Sequence, residues 1–346
     1  MNPNPYLVDM LAQPAALQAA LDNYQADAVA ALAKRFAAGE FSRVVLTGMG
    51  SSHNSHYAAS LIMAQAKTPT IYINTAELMH YAPTLLQPGT LLWINSQSGR
   101  SVEIVRLLEQ IKNDRPAFQL SITNQPASPT AQAADLALLM HAGEEATVST
   151  KTYLNSVAIS MLTATQLVGG DYDGLLQQMK SVVEPLRAFF ARLEEHTATL
   201  DRMTAGMGKG VFLGRGPSMG AVMNGSLVNT EASKTMIAGM NVADFRHGPF
   251  EMADDSLTLF ILDGHTKTSG INRQLAMDAH KEGAHVIWLA GQPDPVLPTF
   301  LLPDVPDAVK PLVEILAFQV MTLVNAKRTG FEPGVFRHIG KVTVTE

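Results

Sequence analysis

An internal repeat is the feature that most constrains how this chain can fold. Residues 44–52 (VVLTGMGSS) resemble residues 210–218 (GVFLGRGPS) at an offset of 166 positions. Residues 91–95 lie opposite 257–261 at the same offset, and residues 117–120 lie opposite 284–287 at an offset of 167. Three apolar segments that recur at nearly the same offset predict a duplicated domain.

The spacing of the apolar segments predicts the class of each copy. Short apolar runs bounded by Gly, Ser, Asn or Pro alternate with longer stretches of helical periodicity. The runs in the first copy lie at 44–47, 70–73, 91–94, 118–122 and 136–140, and the helical stretches include 101–111 and 152–165. This alternation is typical of a parallel α/β sheet. We therefore expect two tandem flavodoxin-like α/β domains, each a mostly parallel sheet with helices on both faces.

The same pattern suggests domain boundaries. Apolar residues at helical spacing between Leu17 and Leu32 predict one amphipathic helix within an N-terminal helical segment, 1–40. We place the first domain at 41–170, a linker helix at 171–198, and the second domain with its C-terminal tail at 199–346. Ser96-Gln97-Ser98-Gly99 follows the third strand of the first copy, whereas Asp263-Gly264-His265 follows that of the second. Only the first copy is therefore predicted to hold a ligand through hydroxyl groups.

Composition excludes several classes of protein. The chain has no cysteine, which rules out disulfides, thiolate metal sites, iron–sulfur clusters and a cysteine nucleophile. A net charge of −6 without a basic cluster argues against nucleic acid as a partner. The first 40 residues carry only two basic side chains, and no apolar run approaches the about 18 residues that cross a bilayer. A cytoplasmic protein without a membrane partner is expected.

Three hydroxyl-rich segments follow predicted strands, at 50–55, 96–101 and 147–151. Ligands of open α/β sheets bind at the carboxyl ends of strands, where free helix N–H groups also favour anions. Such a set of neutral donors suits a phosphate attached to a polyhydroxy body. Alternatively, Ser96 or Ser98 only caps the helix that starts near Ser101. A dinucleotide site at Gly48-Met49-Gly50 is weakly supported because His53 occupies the third glycine position.

Taken together, the motifs resemble the tandem sugar isomerase (SIS) domain family, in particular the isomerase half of glucosamine-6-phosphate synthase and related aminosugar-phosphate deaminases and fructosamine-phosphate deglycases. The resemblance runs from about residue 40 to the end of the chain and rests on these motifs: Gly50-Ser51-Ser52-His53-Asn54-Ser55, Ser96-Gln97-Ser98-Gly99, Ser149-Thr150-Lys151, Gly214-Arg215-Gly216, Arg246-His247-Gly248-Pro249 and Lys341-Val342-Thr343-Val344.

The resemblance implies roles for individual residues. The substrate-binding and phosphate-binding residues would be Ser51, Ser52, Ser96, Gln97, Ser98, Ser101 and Ser149. Glu231 matches the glutamate that moves a proton between C1 and C2 of the open-chain sugar. His247 matches a histidine that assists ring opening and reaches in from the partner subunit. Lys341 matches a lysine that contacts the sugar carbonyl or forms a Schiff base with it.

General chemistry agrees with these roles. A carboxylate in a partly dry pocket can exchange the proton, histidine titrates near neutral pH, and an ammonium group can neutralise an enediolate. The alternatives are a solvated helix carboxylate for Glu231, a turn residue for His247 and an inert tail for Lys341. His53 and His56 could ligate a metal, but no third ligand stands out, so we expect them to have helix-surface roles. Neither a metal nor a cofactor is expected.

Two departures from the family bear on function. Val228 occupies the position of a family lysine, three residues before the catalytic glutamate. The ring-opening and amine-handling role of that lysine is therefore lost here unless Lys234, on the following turn, substitutes for it. The chain begins Met1-Asn2 and lacks cysteine, so no glutaminase activity is expected. We expect a homodimeric phosphosugar isomerase or aminosugar-6-phosphate deaminase with shared active sites, acting on a hexose or hexosamine 6-phosphate. The alternative is a non-catalytic phosphosugar sensor that acts through a protein partner.

Overall fold

The chain forms two compact units in a computed structural model that describes residues 4–343 and Thr345. The first-half unit comprises Ala15–Lys180 and the described residues from Arg337 onward. The second-half unit comprises residues 4–14 and Ser181–Phe336. Each unit is thus built from two separate stretches of chain. The domain boundaries suggested by the sequence stay a prediction.

The first-half unit contains a parallel sheet. Its strands are β1 (Arg43–Thr47), β2 (Thr70–Tyr72), β3 (Thr90–Asn95), β4 (Phe118–Thr123) and β5 (Leu136–Leu139). They are ordered β2-β1-β3-β4-β5, and every neighbouring pair is parallel. All five strands expected in the first copy are confirmed. Strands β3 and β4 are buried along their whole length, as expected for a sheet covered on both faces.

The helices as far as residue 167 are α1 (Pro5–Leu11), α2 (Gln13–Asp22), α3 (Ala26–Ala37), α4 (Gly50–Asn54), α5 (Tyr57–Met63), α6 (Thr75–Tyr81), α7 (Val102–Gln110), α8 (Pro129–Ala133) and α9 (Lys151–Leu167). Alternate strand residues serve opposite faces of the sheet. Val44 and Trp93 join a core cluster that includes α3, α5 and α9, whereas Val45 and Leu92 join one that includes α7. Helices therefore cover both faces, as predicted.

The prediction of a single amphipathic helix between Leu17 and Leu32 was wrong, because the chain leaves helical geometry between α2 and α3. Tyr24 lies in this break. Its hydroxyl donates to Gln166 Oε1 at 2.8 Å and lies 3.0 Å from Thr163 Oγ1. These contacts with α9 hold the ring where a continuous helix would not place it, so tertiary contacts override the local periodicity.

The second-half unit repeats the topology of the first. Its strands are β6 (Lys209–Gly214), β7 (Ala238–Asn241), β8 (Leu257–Leu262), β9 (His285–Ala290) and β10 (Thr299–Leu301), in the order β10-β9-β8-β6-β7. The remaining helices are α10 (Tyr172–Ala191), α11 (Leu193–Met203), α12 (Met219–Val228), α13 (Val242–Arg246), α14 (Thr266–Lys281) and α15 (Ile315–Thr329). The shared strand order confirms the duplicated α/β fold.

Strand order also fixes where a ligand can be held. In the first sheet, β1 lies between β2 and β3, so the connections leaving β1 and β3 run in opposite directions and open a crevice at the carboxyl ends. Thr47 pairs with Ile94 at those ends, which brings the segments after the two strands side by side. Among the described residues, no helix is long and apolar enough to cross a membrane.

Candidate functional site

The segment after β3 folds back on its own hydroxyl groups. The backbone N–H of Gly99 donates to Ser96 Oγ at 3.1 Å, and that of Arg100 donates to Ser98 Oγ at 3.2 Å. Neither hydroxyl therefore caps α7, which was the alternative explanation for these serines. The N-cap residue of α7 is Ser101, and its side chain makes no capping hydrogen bond.

The segment after β1 contributes a third hydroxyl to the same place. Gln97 N–H donates to Ser52 Oγ at 3.2 Å. A serine hydroxyl has one proton to donate as well as lone pairs to accept. Because Ser52, Ser96 and Ser98 each accept an amide proton in the described structure, each can direct its own proton to a ligand. Three hydroxyl donors held by backbone amides suit an anion with several oxygen atoms.

Gly99 makes the tight path of this loop possible. Its φ of +60° lies in the left-handed region, which favours glycine. A Cβ atom at this position would lie 2.1 Å from Ser128 Oγ, the side chain that caps α8. Gly48 allows a similar close approach, since a Cβ there would lie 2.7 Å from the carbonyl oxygen of Asn95. The two glycines thus bring the segments after β1 and β3 together.

A buried carboxylate that the sequence reasoning missed organises the segment before α9. Glu145 Oε1 accepts hydrogen bonds from Thr150 N at 2.9 Å and Thr152 N at 3.0 Å, and Oε2 accepts from Thr152 Oγ1 at 2.6 Å. The negative charge lies at the N-terminal end of a helix, where the free N–H groups favour it. Ser149 Oγ is 2.9 Å from Thr152 Oγ1, so Glu145 also holds the hydroxyl group that contacts Ser149.

Lys341 is held by this carboxylate. Its Nζ donates to Glu145 Oε2 at 3.0 Å, to the carbonyl oxygen of Thr147 at 2.8 Å and to that of Glu145. These three acceptors use all three protons of an ammonium group. Two residues later, the carbonyl oxygen of Thr343 accepts from Val102 N at 3.1 Å, at the first residue of α7. Val344, the last residue of the terminal motif, lies outside the described residues.

Glu231 belongs to the second-half unit and lies in unusual backbone. Helix α12 continues into a π-helical turn, Asn229–Ser233, which ends at Lys234 with a left-handed φ of 59°. The Nζ of Lys234 donates to the carbonyl oxygens of Glu231 and of Val335, the latter at 2.8 Å. Both π turns and left-handed residues other than glycine occur often at functional sites. Val228 is buried, with 2% of its surface exposed.

The remaining site residues are separated in the chain. His247 follows α13 in the second-half unit and is exposed, and Ser51 is half-buried in α4 of the first-half unit. Within the first-half unit, the structure links Ser52 with Gln97, adjoining Ser96 and Ser98, and links Ser149 through Glu145 with Lys341. The assigned roles of these residues stay predictions.

The two histidines after β1 pack as neutral aromatic groups, and the helix-surface role expected for them was wrong for His56, which is buried. The His53 ring stacks on Tyr72 with centroids 4.0 Å apart, and burial lowers its pKa to about 4. His56 is fully buried edge-to-face against Trp93, and burial lowers its pKa well below the usual value. No group of three or more His, Cys, Asp or Glu side chains in the described part of the chain is arranged to hold a metal ion.

Comparison with known proteins gives the same fold. Residues 40–166 match the SIS domain family. The chain is 25% identical over 318 residues to a glutamine–fructose-6-phosphate aminotransferase (isomerizing) of Pyrococcus horikoshii, covering 89% of this chain and 52% of the relative. The chain thus spans about half the length of the curated relatives it matches.

Two solved structures have the fold of the whole chain. Tagatose-6-phosphate ketose/aldose isomerase from Escherichia coli has a TM-score of 0.79 at 22% identity, with 96% of each chain covered. Glucosamine-6-phosphate deaminase from Thermotoga maritima has a TM-score of 0.74 at 19% identity, with 98% of this chain and 99% of that chain covered. At these identities the similarity establishes the fold.

Proposed function

We propose that the chain binds a hexose or hexosamine 6-phosphate and acts as an isomerase or deaminase, since residues 40–166 match the SIS domain family. The observation that carries the proposal is the group of three hydroxyls, of Ser52, Ser96 and Ser98, whose protons are available to a phosphate. Solved structures with this fold include a tagatose-6-phosphate ketose/aldose isomerase and a glucosamine-6-phosphate deaminase, both named for 6-phosphorylated sugars.

The proposed reaction passes through an enediol or enolamine. Glu231 removes the proton from C2 and returns it at C1, which interconverts aldose and ketose; in the deaminase reaction the nitrogen leaves as ammonia after water adds. His247 assists opening of the sugar ring, reaching the substrate from a partner subunit of a homodimer. The π-helical turn and the left-handed Lys234 beside Glu231 support a functional role for this segment.

For Lys341 we favour an electrostatic role. Its Nζ donates hydrogen bonds to three protein acceptors, and a nitrogen that does so has no lone pair left to attack a carbonyl carbon. The Lys341 ammonium therefore fits neutralisation of negative charge on the sugar oxygen better than formation of a Schiff base. Trapping with borohydride during turnover distinguishes the two, since only a Schiff base yields a covalent adduct.

One panel of assays tests the proposed activity. Hexose 6-phosphates and hexosamine 6-phosphates are screened for aldose–ketose exchange and for release of ammonia. Glu231→Gln is expected to abolish turnover and keep phosphosugar binding, because the amide preserves shape and removes the base. Glu194→Gln, an exposed carboxyl on α11, is the matched control and should retain activity. Full activity of Glu231→Gln would remove Glu231 from the mechanism.

The second candidate is a phosphosugar sensor without catalytic activity. Buried Val228 favours it, since a lysine occupies this position in the family that the sequence resembles and a valine can neither donate a proton nor carry charge. The sensor function predicts that phosphosugar binds and that neither ketose phosphate nor ammonia forms in the assay panel. Turnover that depends on Glu231 would exclude it.

A further inference from the structure

The second-half unit contains a cavity whose lining shares no residue with the hydroxyl groups described above. Its volume is 240 Å³, and it lies at the carboxyl ends of β8, β9 and β10. The segment after β8, which begins at Asp263, corresponds in the duplicated fold to the serine-rich segment after β3. Open α/β sheets bind ligands at this edge. The cavity is smaller than the roughly 300–1,000 Å³ of sites for drug-sized molecules, so it fits a single sugar ring or a molecule of similar size.

A buried carboxyl group at this cavity has an unused acceptor. Glu314 borders the cavity and has only 3% of its surface exposed. Its Oε1 accepts from Ser218 Oγ at 2.8 Å, while Oε2 has no hydrogen-bond partner among the described residues. Burial raises the pKa of Glu314 to about 7, and the hydrogen bond from Ser218 offsets only part of that effect. A buried oxygen left unpaired is destabilising, and a hydrogen-bond donor on a ligand would relieve that loss.

The charges around the cavity disfavour phosphate. Lys310 donates to Asp263 Oδ2 at 3.1 Å and forms an ion pair with Asp307 Oδ1 at 3.0 Å. Arg273 is paired with Asp294 through two hydrogen bonds of 2.6 and 3.1 Å. Both cations that line the cavity are thus neutralised by carboxylates. Asp304 and Glu314 add further acidic groups to the lining, so the surplus charge is negative.

We propose that this cavity binds a small polyhydroxy amine without a phosphate group, such as a free aminosugar. Carboxylate oxygens accept hydrogen bonds from sugar hydroxyls, and Glu314 Oε2 offers a charge-assisted partner to the ammonium group. Neither feature involves a residue that the proposed phosphosugar reaction uses. The chain would then carry two sites of opposite preference, one for the phosphorylated sugar and one for an unphosphorylated amine.

Isothermal titration with glucosamine tests the proposal, at a pH above 7 so that Glu314 is ionised. Glucosamine should bind one site per chain, and saturating glucose 6-phosphate should leave that binding unchanged. Glu314→Gln should weaken it about tenfold, the effect of losing one charge-assisted hydrogen bond. Ser98→Ala, which alters the hydroxyl group in the first-half unit, should leave it unchanged.

Asp304→Asn provides a second variant, because Asp304 is exposed and its loss should not affect folding. It should weaken glucosamine binding in the same direction as Glu314→Gln. Lack of binding to the unmodified chain, displacement by glucose 6-phosphate, or equal affinity in the Asp304 variant would each overturn the proposal. Glucose, which has no amine, should bind more weakly than glucosamine; equal binding would overturn the assignment of an amine.

Discussion

The hydroxyl group of Ser98 both stabilises its loop and offers a proton to a ligand. It accepts the Arg100 amide at 3.2 Å and can donate to a phosphate oxygen. A hydrogen bond to a charged group contributes about 1.5–3 kcal/mol. Ser98→Ala should therefore lower affinity for a hexose 6-phosphate at least about tenfold, measured by titration calorimetry. Ser256→Ala, at an exposed serine of the second-half unit, should bind normally. Unchanged affinity in Ser98→Ala would contradict the phosphate site.

Alanine substitutions at Gly99 and Gly143 distinguish the cost of backbone strain from the cost of a steric clash. Both have left-handed φ values, +60° and +66°, but only at Gly99 would a Cβ meet another side chain. Gly143→Ala should destabilise the fold by about 1–2 kcal/mol, the cost of a left-handed alanine. Gly99→Ala should cost about 1–3 kcal/mol more, because Ser128 must move. Urea unfolding measures both, and equal losses would show that the clash is relieved at little cost.

The serines could be predicted from the sequence, whereas Glu145 could not. Hydroxyl-rich turns after apolar strands can be read from local pattern, because strand ends and helix starts have local signals. The partners of Glu145 include Lys341, 196 residues away, so its importance depends on a contact that the pattern does not encode. An acidic residue shortly before the Ser-Thr-Lys helix start was the available signal, since carboxylates favour helix N-termini.

At the scale of elements, Glu145 couples the start of α9 to the C-terminal residues. Glu145→Gln removes the charge that Lys341 and two backbone amides share. We expect a loss of about 2 kcal/mol, because hydrogen bonds involving charged groups are the strong ones. Hydrogen exchange should accelerate at Val102, whose amide is bonded to Thr343. Glu144→Gln, at an exposed neighbouring carboxyl, is the control. If the two variants exchange alike, the coupling does not exist.

Strands could be predicted from sequence and two irregular elements could not. The strands of the first copy end within one or two residues of their expected limits because apolar runs with polar boundaries have a local signal. The break at Tyr24 depends on its hydrogen bond to Gln166, and the π turn contains Asn229, whose side chain donates to the Phe318 carbonyl at 3.0 Å. Both are decided by contacts with distant helices.

At the scale of the whole molecule, pH should change the stability of the two units in opposite directions. In the second-half unit, folding raises the pKa of Glu314 from 4.5 to about 7. The folded state therefore holds a proton that the unfolded chain has lost, and stability falls as pH rises through this range. Lys310, Asp263 and Asp307 act on the same group, and burial dominates their effects.

In the first-half unit, stability changes with pH in the opposite direction. Burial lowers the pKa values of His53, to about 4, and His56, so the unfolded chain takes up protons below about pH 6.5 and the folded unit does not. Between pH 7 and pH 5, the free energy of unfolding of the first-half unit should fall by about 2 kcal/mol through His53 alone. Over the same range, Glu314 should raise that of the second-half unit by about 2 kcal/mol. Hydrogen exchange in β3 and β8, corrected for intrinsic rates, measures each unit. Parallel changes would contradict the prediction, and Glu314→Gln should remove the effect in β8.

The repeat predicted the architecture of the whole molecule and left the chemical difference between its copies open. Matching offsets predict the same fold for both copies, and the two sheets have the same strand order. The sequence also showed that only the first copy carries serines after its third strand. The 240 Å³ cavity beside Glu314 was not predicted, since its lining comes from four separate segments of the second copy.

The 196 residues that separate Glu145 from Lys341 also determine when their contact can form during synthesis of the chain. A ribosome makes the chain from its N-terminus, so Glu145 emerges while the second-half unit is still unmade, and Lys341 emerges only after that unit. Until then the carboxylate has its amide donors but lacks its cation. The first-half unit therefore reaches its final stability last, although most of its residues are synthesised first, and a chain interrupted before residue 341 would carry a complete sheet and an unfinished site.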